Sequence, residues 1–391
     1  MKICDKIILV KMCAFFKEYF MEQVYKNKKD CSGCTACQHI CPNKAITMQA
    51  DSEGFLYPVI EQKKCIDCGL CRDICPFINS ESLKNGGQQN CYSCVHKDED
   101  VLRASTSGGA FTALSDYILE IGGVVYGADF DEEFNVCHSR AATKAERDRQ
   151  RVSKYAQSDL KDIFVQVKND LQNGLTVLFT GTPCQVAGLK AYLPRHITAN
   201  LYLCDLICHS IPSPLIWKEY KAFQEAKHGG GKMTKVMFRS KLHPWTRNNS
   251  NRGFIFEMNG DGTLHEDNIF YDLFFKVGTI MRPSCANCKF TTQNRVSAIT
   301  IADYWGIEEY SPETYNPLGV SVILANNSKG EKLVYHMKQR ADIKQRPLAE
   351  QLKHQKRLSE PVQYPDFRDE FWQDLRVNGF AYVMDKYVYK K

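Results

Sequence analysis

Two runs of twelve residues share a single cysteine metric. "CSGCTACQHICP" occupies residues 31–42 and "CIDCGLCRDICP" residues 65–76, and each reads Cys-x2-Cys-x2-Cys-x3-Cys-Pro. Side chains three apart on a strand point to opposite faces, so such a run needs a tight loop to turn its thiols to one centre. The 391-residue chain carries 18 cysteines. A disulfide framework belongs to short secreted chains, whereas a long chain with cysteines at metal-ligand spacings points to a reducing compartment. The composition, 43% hydrophobic and 25% charged, is that of a globular protein long enough for two or three cores.

In a two-cluster iron–sulfur domain, three cysteines of each run bind one [4Fe–4S] centre and the fourth, before Pro, binds the other. The spacing therefore assigns Cys31, Cys34, Cys37 and Cys75 to one centre, and Cys65, Cys68, Cys71 and Cys41 to the second. Between the runs, "AITMQADSEGFLYPVIEQKK" alternates around Glu53 and Gly54, which predicts a hairpin. Zinc is the rival for any Cys-x2-Cys pair, and the duplicated Cys-Pro ending argues against it. Residues 26–80 resemble a bacterial dicluster ferredoxin domain.

The polar stretch "NSESLKNGGQQN" reads as a linker over 81–90. Cys91 and Cys94 lie on a predicted strand, where their side chains diverge, and read as structural. Cys4, Cys13 and Cys137 are isolated. In "ASTSGGAFTALSDYILEIGGVVYGADF", a helix is predicted from Ala110 to Glu120, then a strand. Thr106, Ser107, Gly108 and Gly109 precede that helix, either as an anion site of hydroxyls and backbone N–H groups or with Ser107 as a plain N-cap. "NGLTVLFTGTPCQVAGLKAYL" predicts a strand over Val177–Phe179, a turn, and a helix from Gln185 to Tyr192, with Cys184 beside the helix start. A further strand in "NLYLCDLICHSIPSP" and a helix in "PLIWKEYKAFQEA" follow, then "RPSCANCKF" and a strand ending at Asp303. Cys184, Cys208, Cys285 and Cys288 form a third set. A third [4Fe–4S] cluster is the preferred reading, with a zinc knot or unrelated buried thiols as alternatives.

The ordered stretches "STSGGAFTAL", "SKYAQS", "LFTGTPCQVAGLKAYL", "DLICHSIPSP", "RPSCANCKF" and "ITIADYWGI" resemble the beta subunit family of coenzyme F-420 hydrogenases and dehydrogenases, over about residues 90–330. The resemblance implies FAD and iron–sulfur clusters that exchange electrons with an organic acceptor. It places flavin contacts at Thr106 to Gly109 and at Ser153, Lys154, Tyr155, Gln157 and Ser158. Cys184, Cys208, Cys285 and Cys288 match the family's recurrent cysteines. Two positions depart from the pattern: Ala298 stands where the family usually has Asp, and Ala302 where Gly is common. Asp205 and His209 are candidate proton donors, with a structural role as the alternative.

The expected architecture is α/β, α+β overall: a small dicluster domain, then a larger mixed α/β flavin and iron–sulfur module. The expected divisions are a leader helix over 1–25, the ferredoxin domain over 26–80, the linker, modules over 91–170 and 171–330, and a helical tail over 331–391. The N-terminal apolar run from Ile7 to Phe16 is broken by Lys11 and too short to span a bilayer, so no membrane span and a soluble, cytoplasmic protein are expected. Lys26 to Lys29 and Arg239 to Arg252 read as solvated basic faces, and no nucleic-acid partner is expected. The functional expectation is an oxidoreductase that takes electrons from a ferredoxin-type donor or another redox-enzyme subunit. They would pass through the clusters to FAD and a small-molecule acceptor. A non-catalytic electron-transfer subunit is the alternative, and an interaction protein with structural clusters is a third reading.

Overall fold

Every residue of Val177–Gly181 and of Ser321–Ala325 is buried, the mark of strands covered on both faces. They lie inside an eight-stranded sheet in a computed structural model that describes residues 23–87, 89–246 and 253–390. The strands, in chain order, are β1 (Ile46–Ala50), β2 (Leu56–Ile60), β3 (Asn90–His96), β4 (Val124–Phe130), β5 (Val136–Ala141), β6 (Val177–Gly181), β7 (Leu201–Leu206), β8 (Met233–Met237), β9 (Ile255–Met258), β10 (Leu264–Glu266), β11 (Ile299–Asp303), β12 (Ser321–Ala325) and β13 (Ala341–Arg346). The large sheet runs β13-β3-β12-β11-β7-β6-β4-β5. β11, β7, β6 and β4 are mutually parallel, and antiparallel strands flank them.

Helices cover both faces. Leu114 and Ile118 of Ala110–Glu120 pack with Leu333 and Met337 of Ser328–Met337 on one side. Phe164 and Val167 of Ile163–Gln172 pack with Val186 and Leu189 of Pro183–Tyr192 on the other. β3 shows the alternation directly: Cys91 joins the apolar cluster of Tyr304 and Val322, whereas Cys94 joins that of Leu114 and Ile323. A second, aromatic core joins β8, β9 and β10 to the helices Pro214–Lys227 and Arg368–Met384, around Trp217, Phe238 and Trp372.

The dicluster segment folds as the hairpin β1–β2, paired from Ile46↔Ile60 to Ala50↔Leu56. Asp51 closes its turn by accepting from the backbone N–H groups of Glu53 and Phe55, both at 3.0 Å. Gly54 has φ +80°, and a Cβ there would meet Leu215 at 2.4 Å, so this turn needs glycine both for its backbone and for its docking. The hairpin tip is tied to the body: Arg368 grips the Glu53 carboxylate with both terminal nitrogens, one at 2.8 Å, and Ser213 donates to the Glu53 carbonyl.

Three divisions differ from expectation. The tail is not purely helical, because β13 pairs with β3 along the edge of the large sheet. The modules over 91–170 and 171–330 share that one sheet. The linker is packed: it begins in a helical turn, Ser80–Leu83, and Asn85 bonds Ser297 and Arg295. The leader helix, with Cys4 and Cys13, falls outside the described residues apart from the last few positions of its span. Among the described residues, no helix is long and apolar enough to cross a membrane.

Candidate redox centres and the loop beside them

The hairpin and the two short helices Ala36–Ile40 and Leu70–Asp73 bring the eight cysteines of the duplicated runs into two groups. One cavity, of about 60 Å³, is lined by Cys41, Cys65, Cys68 and Cys71. The other, of about 20 Å³, is lined by Cys31, Cys34, Cys37 and Cys75. Both exceed the roughly 10–15 Å³ that one water needs. The grouping is crossed, with Cys41 and Cys75 each facing the other run's triplet. Thr35 and Gly69, at the starts of the two short helices, have φ of 65° and 76°, the left-handed bend that lets each loop turn its thiols inward. Among the described residues, no three His, Cys, Asp or Glu side chains converge as ligands of a single ion.

The outlying cysteines also lie near one another. Burial pushes the Cys208 thiol well above its usual range, and Cys285, Cys184 and Cys288 add to the shift. Cys288 is pushed up to about 11 by burial and then by Cys184. Three elements deliver them. Cys184 opens the helix Pro183–Tyr192, capped by Thr182, whose N–H donates to Gln185 Oε1 at 3.0 Å. Cys208 follows the C-terminal end of β7, and Cys285 and Cys288 close a 3-10 turn, Pro283–Asn287. Thiols that desolvation keeps from ionising beside one another become good ligands once a cation neutralises them, which suits an iron–sulfur centre in the first-run group and would suit one in the third.

The groups form a succession. Cys68 is exposed. Cys37 senses the charge of Cys71 in the neighbouring group, besides Cys34, Cys31 and Cys75 in its own. Cys34 senses Cys184 across the domain boundary. Gly188 makes that approach possible: a Cβ there would stand 2.9 Å from Cys34 Sγ.

The residues expected to touch flavin divide between two places. Thr106 Oγ1 accepts from the Ser153 N–H at 2.9 Å, so those two segments meet. Ser107 donates to the Val320 carbonyl, and Gly109, with φ 81°, is the N-cap in its stead. Gly108 serves close packing, because a Cβ there would lie 2.2 Å from the Cys94 carbonyl. Lys154 turns its ammonium onto the carbonyls of Arg149, Arg151 and Val152 and over the Phe130 ring. Tyr155 meets Phe274 and Phe275, and His209 meets the same two rings at 5.4 and 5.1 Å. The Tyr155 loop and the third cysteine group thus share an aromatic wall. Gln157 and Ser158 face elsewhere: Gln157 donates to the Ser32 carbonyl, and Ser158 joins buried His138 and Gln185.

Local sequence concealed several residues here. Lys241 donates to the carbonyls of Thr106 and Leu318, and Arg239 pairs with Asp303 at 2.8 Å, with Trp245 bonding the same carboxylate. The expected solvated basic face is therefore wrong at these two positions, which fold onto the loop because buried partners await them. Residues 247–252 of that stretch lie outside the described residues. Asp205 is fully buried beside Arg295, at 3.1 Å, and accepts from Thr300. That is the setting of a structural ion pair, and it leaves His209 as the candidate proton donor nearer the cysteines. Ala298 is buried too, its carbonyl accepting from the Asn326 N–H, and a carboxylate in its place would need a partner.

Comparison with known proteins accords with this geometry. Residues 174–351 match the family model for the C terminus of the coenzyme F420 hydrogenase/dehydrogenase beta subunit, and residues 30–79 match the 4Fe-4S dicluster domain. A coenzyme F420-dependent sulfite reductase of Methanocaldococcus jannaschii is 26% identical over 185 residues, 44% of this chain and 27% of that protein. Subunit I 2 of an NADH-quinone oxidoreductase from Geobacter metallireducens is 35% identical over 71 residues, 17% of this chain and 52% of that one. The chain thus spans between about a quarter and about half of these relatives. A chain from the F420-reducing [NiFe] hydrogenase complex of Methanosarcina barkeri superposes with a TM-score of 0.44 at 17% identity, covering 71% of this chain and 96% of that one. The chain thus joins a segment that matches the 4Fe–4S dicluster domain to one that matches the C-terminal domain of the coenzyme F420 hydrogenase/dehydrogenase beta subunit family.

Proposed function

We propose that the chain is an iron–sulfur flavoprotein that takes single electrons from a ferredoxin-type donor and reduces a small organic acceptor. The observation that carries this reading is the succession of three cysteine groups, from exposed Cys68 to Cys208 at the aromatic wall shared with Tyr155. The third group would hold a further [4Fe–4S] centre. FAD, when bound, supplies the conversion of one-electron delivery into two-electron reduction. Thr106, Ser153 and Lys241 would hold its diphosphate, Lys154 would add its charge while its donors stay on the loop carbonyls, and Tyr155 with Phe275 would wall its ring from water. His209 would hold a proton for the acceptor.

Burial lowers both Lys154 and Lys241 to about 8. An anion at the loop favours their charged forms, so FAD affinity should fall as pH rises through that value and the free lysines lose their protons. Anaerobic titration of the full chain at pH 7 and pH 9, with FAD and with FMN, tests this. FAD is expected to bind more tightly than FMN, and more tightly at pH 7. Lys241→Glu should weaken FAD at least about tenfold, or about 1.4 kcal/mol. Equal affinity of wild type and variant would move the flavin away from this loop.

A second reading has its own support. Ile66 is 62% exposed, Ile78 59% and Leu70 40%, all on or next to the second cysteine run. Apolar surface of that kind is what a partner protein covers. A chain that loads its clusters but binds no flavin would be an electron-transfer subunit docking through this face.

A further inference from the structure

Arg282 is 1% exposed and lies between the first-run cysteines and the third group. Its Nε donates to the Cys31 carbonyl at 2.9 Å, Nη2 to the Leu56 carbonyl at 2.9 Å, and Nη1 to Gln157 Oε1 at 2.8 Å. Nη2 also stands 3.9 Å from Cys31 Sγ. The guanidinium lies over the Tyr57 ring at 4.3 Å and near Phe55 at 5.3 Å. Its charge is felt by Cys31, Cys184 and Cys285, members of two different groups. Nothing within salt-bridge distance neutralises it: Arg282 appears in no ion pair with a carboxylate among the described residues.

The first run is shaped to admit this cation. Gly33, with φ +67°, has Arg282 Nη1 2.9 Å from where a Cβ would be, so any larger residue would push the guanidinium away from Cys31. The same arginine is anchored from the body side, where its N–H donates to the Ile211 carbonyl and its own carbonyl accepts from Tyr364. A buried arginine that binds only neutral acceptors leaves a positive charge uncompensated at high cost. A thiolate-bound cluster, which carries net negative charge and gains more on reduction, compensates it.

We infer that Arg282 is a positioning residue that raises the reduction potential of the centre held by Cys31, Cys34, Cys37 and Cys75. It would do so by stabilising the extra negative charge taken up when that centre accepts one electron from a low-potential donor. Through the same charge it sets the drop between the exposed second-run centre and the third group. The inference rests on the dicluster domain and is independent of the flavin.

The test is a redox titration of the anaerobically reconstituted full chain, followed by electron paramagnetic resonance. Cys37→Ser identifies the signal of the first-run centre, and iron analysis establishes loading. In Arg282→Gln, that centre should become harder to reduce by at least about tenfold in its oxidised-to-reduced ratio, about 59 mV for one electron. Arg282→Lys, which retains the charge, should restore most of the shift. Gln157→Glu should lower the potential in the same direction with Arg282 in place, because a carboxylate would then neutralise the guanidinium. If Arg282→Gln loads fully and titrates as wild type, the inference fails. It fails equally if Arg282→Lys shifts as far as Arg282→Gln, since lost geometry would then be the cause. Should Arg282→Gln not load, an unchanged potential in loaded Gln157→Glu overturns the charge effect.

Discussion

Cys41→Ser is expected to destroy the centre built on Cys65, Cys68 and Cys71 and to spare the one built on the cysteine triplet of its own run. Cys41 lies in the first run, yet it lines the cavity of the second-run thiols, while Cys75 lines the cavity of the first. A serine hydroxyl ionises far less readily than a thiol and is a poor ligand for soft iron–sulfur chemistry. The loss should amount to about four iron atoms per chain. In spectra of the reduced protein, the signal of the more exposed centre should vanish. Loss of the other signal would mean that each run ligates its own cluster, and the crossed grouping would be wrong.

Cys285→Ser should have an effect of similar size on a different part of the molecule. Cys285 is half-buried beside Cys288 and Cys184, and desolvation, followed by those thiols, pushes its own thiol well above the usual range. Removing one of four ligands from this half-buried group leaves three thiols that cannot readily ionise around a site without its full cation. Iron should again fall by about four atoms, with both dicluster signals retained. Flavin reduction by a reduced ferredoxin should slow by orders of magnitude, because the connection from Cys34 to the aromatic wall is cut. Unchanged iron content would make Cys285 an ordinary buried thiol.

The two sets of cysteines show how unevenly the chain discloses itself. The first eight are legible because the spacing of a short loop fixes which thiols can share a centre, and the hairpin between them follows from its alternation around Glu53 and Gly54. Cys184, Cys208, Cys285 and Cys288 have no such metric. What unites them is the parallel pairing of β6 with β7, which puts Cys184 and Cys208 beyond the same ends of the two strands, and the bridge between Pro212 and Met281, which brings the Cys285–Cys288 turn to them. The helix Ala110–Glu120 and β3 follow local periodicity. β13 does not, because "ADIKQR" has the polar composition of an exposed edge strand and resembles a surface loop in a helical tail. Lys241 and Arg282 were hidden for a related reason. A single cation carries no periodic signature, and its role appears only when carbonyls, thiols or a glycine from elsewhere in the chain surround it. The split of the "SKYAQS" segment, with Tyr155 facing the aromatic wall and Gln157 facing Ser32, is likewise a matter of which way a loop turns.

Anaerobic purification of the full chain, with iron, acid-labile sulfide, zinc and flavin measured on one sample, tests the central claim most directly. Three cubane centres and one flavin require about twelve iron and about twelve sulfide per chain, one FAD and no zinc. A folded protein with about eight iron, zinc at the third group and no flavin would contradict the account.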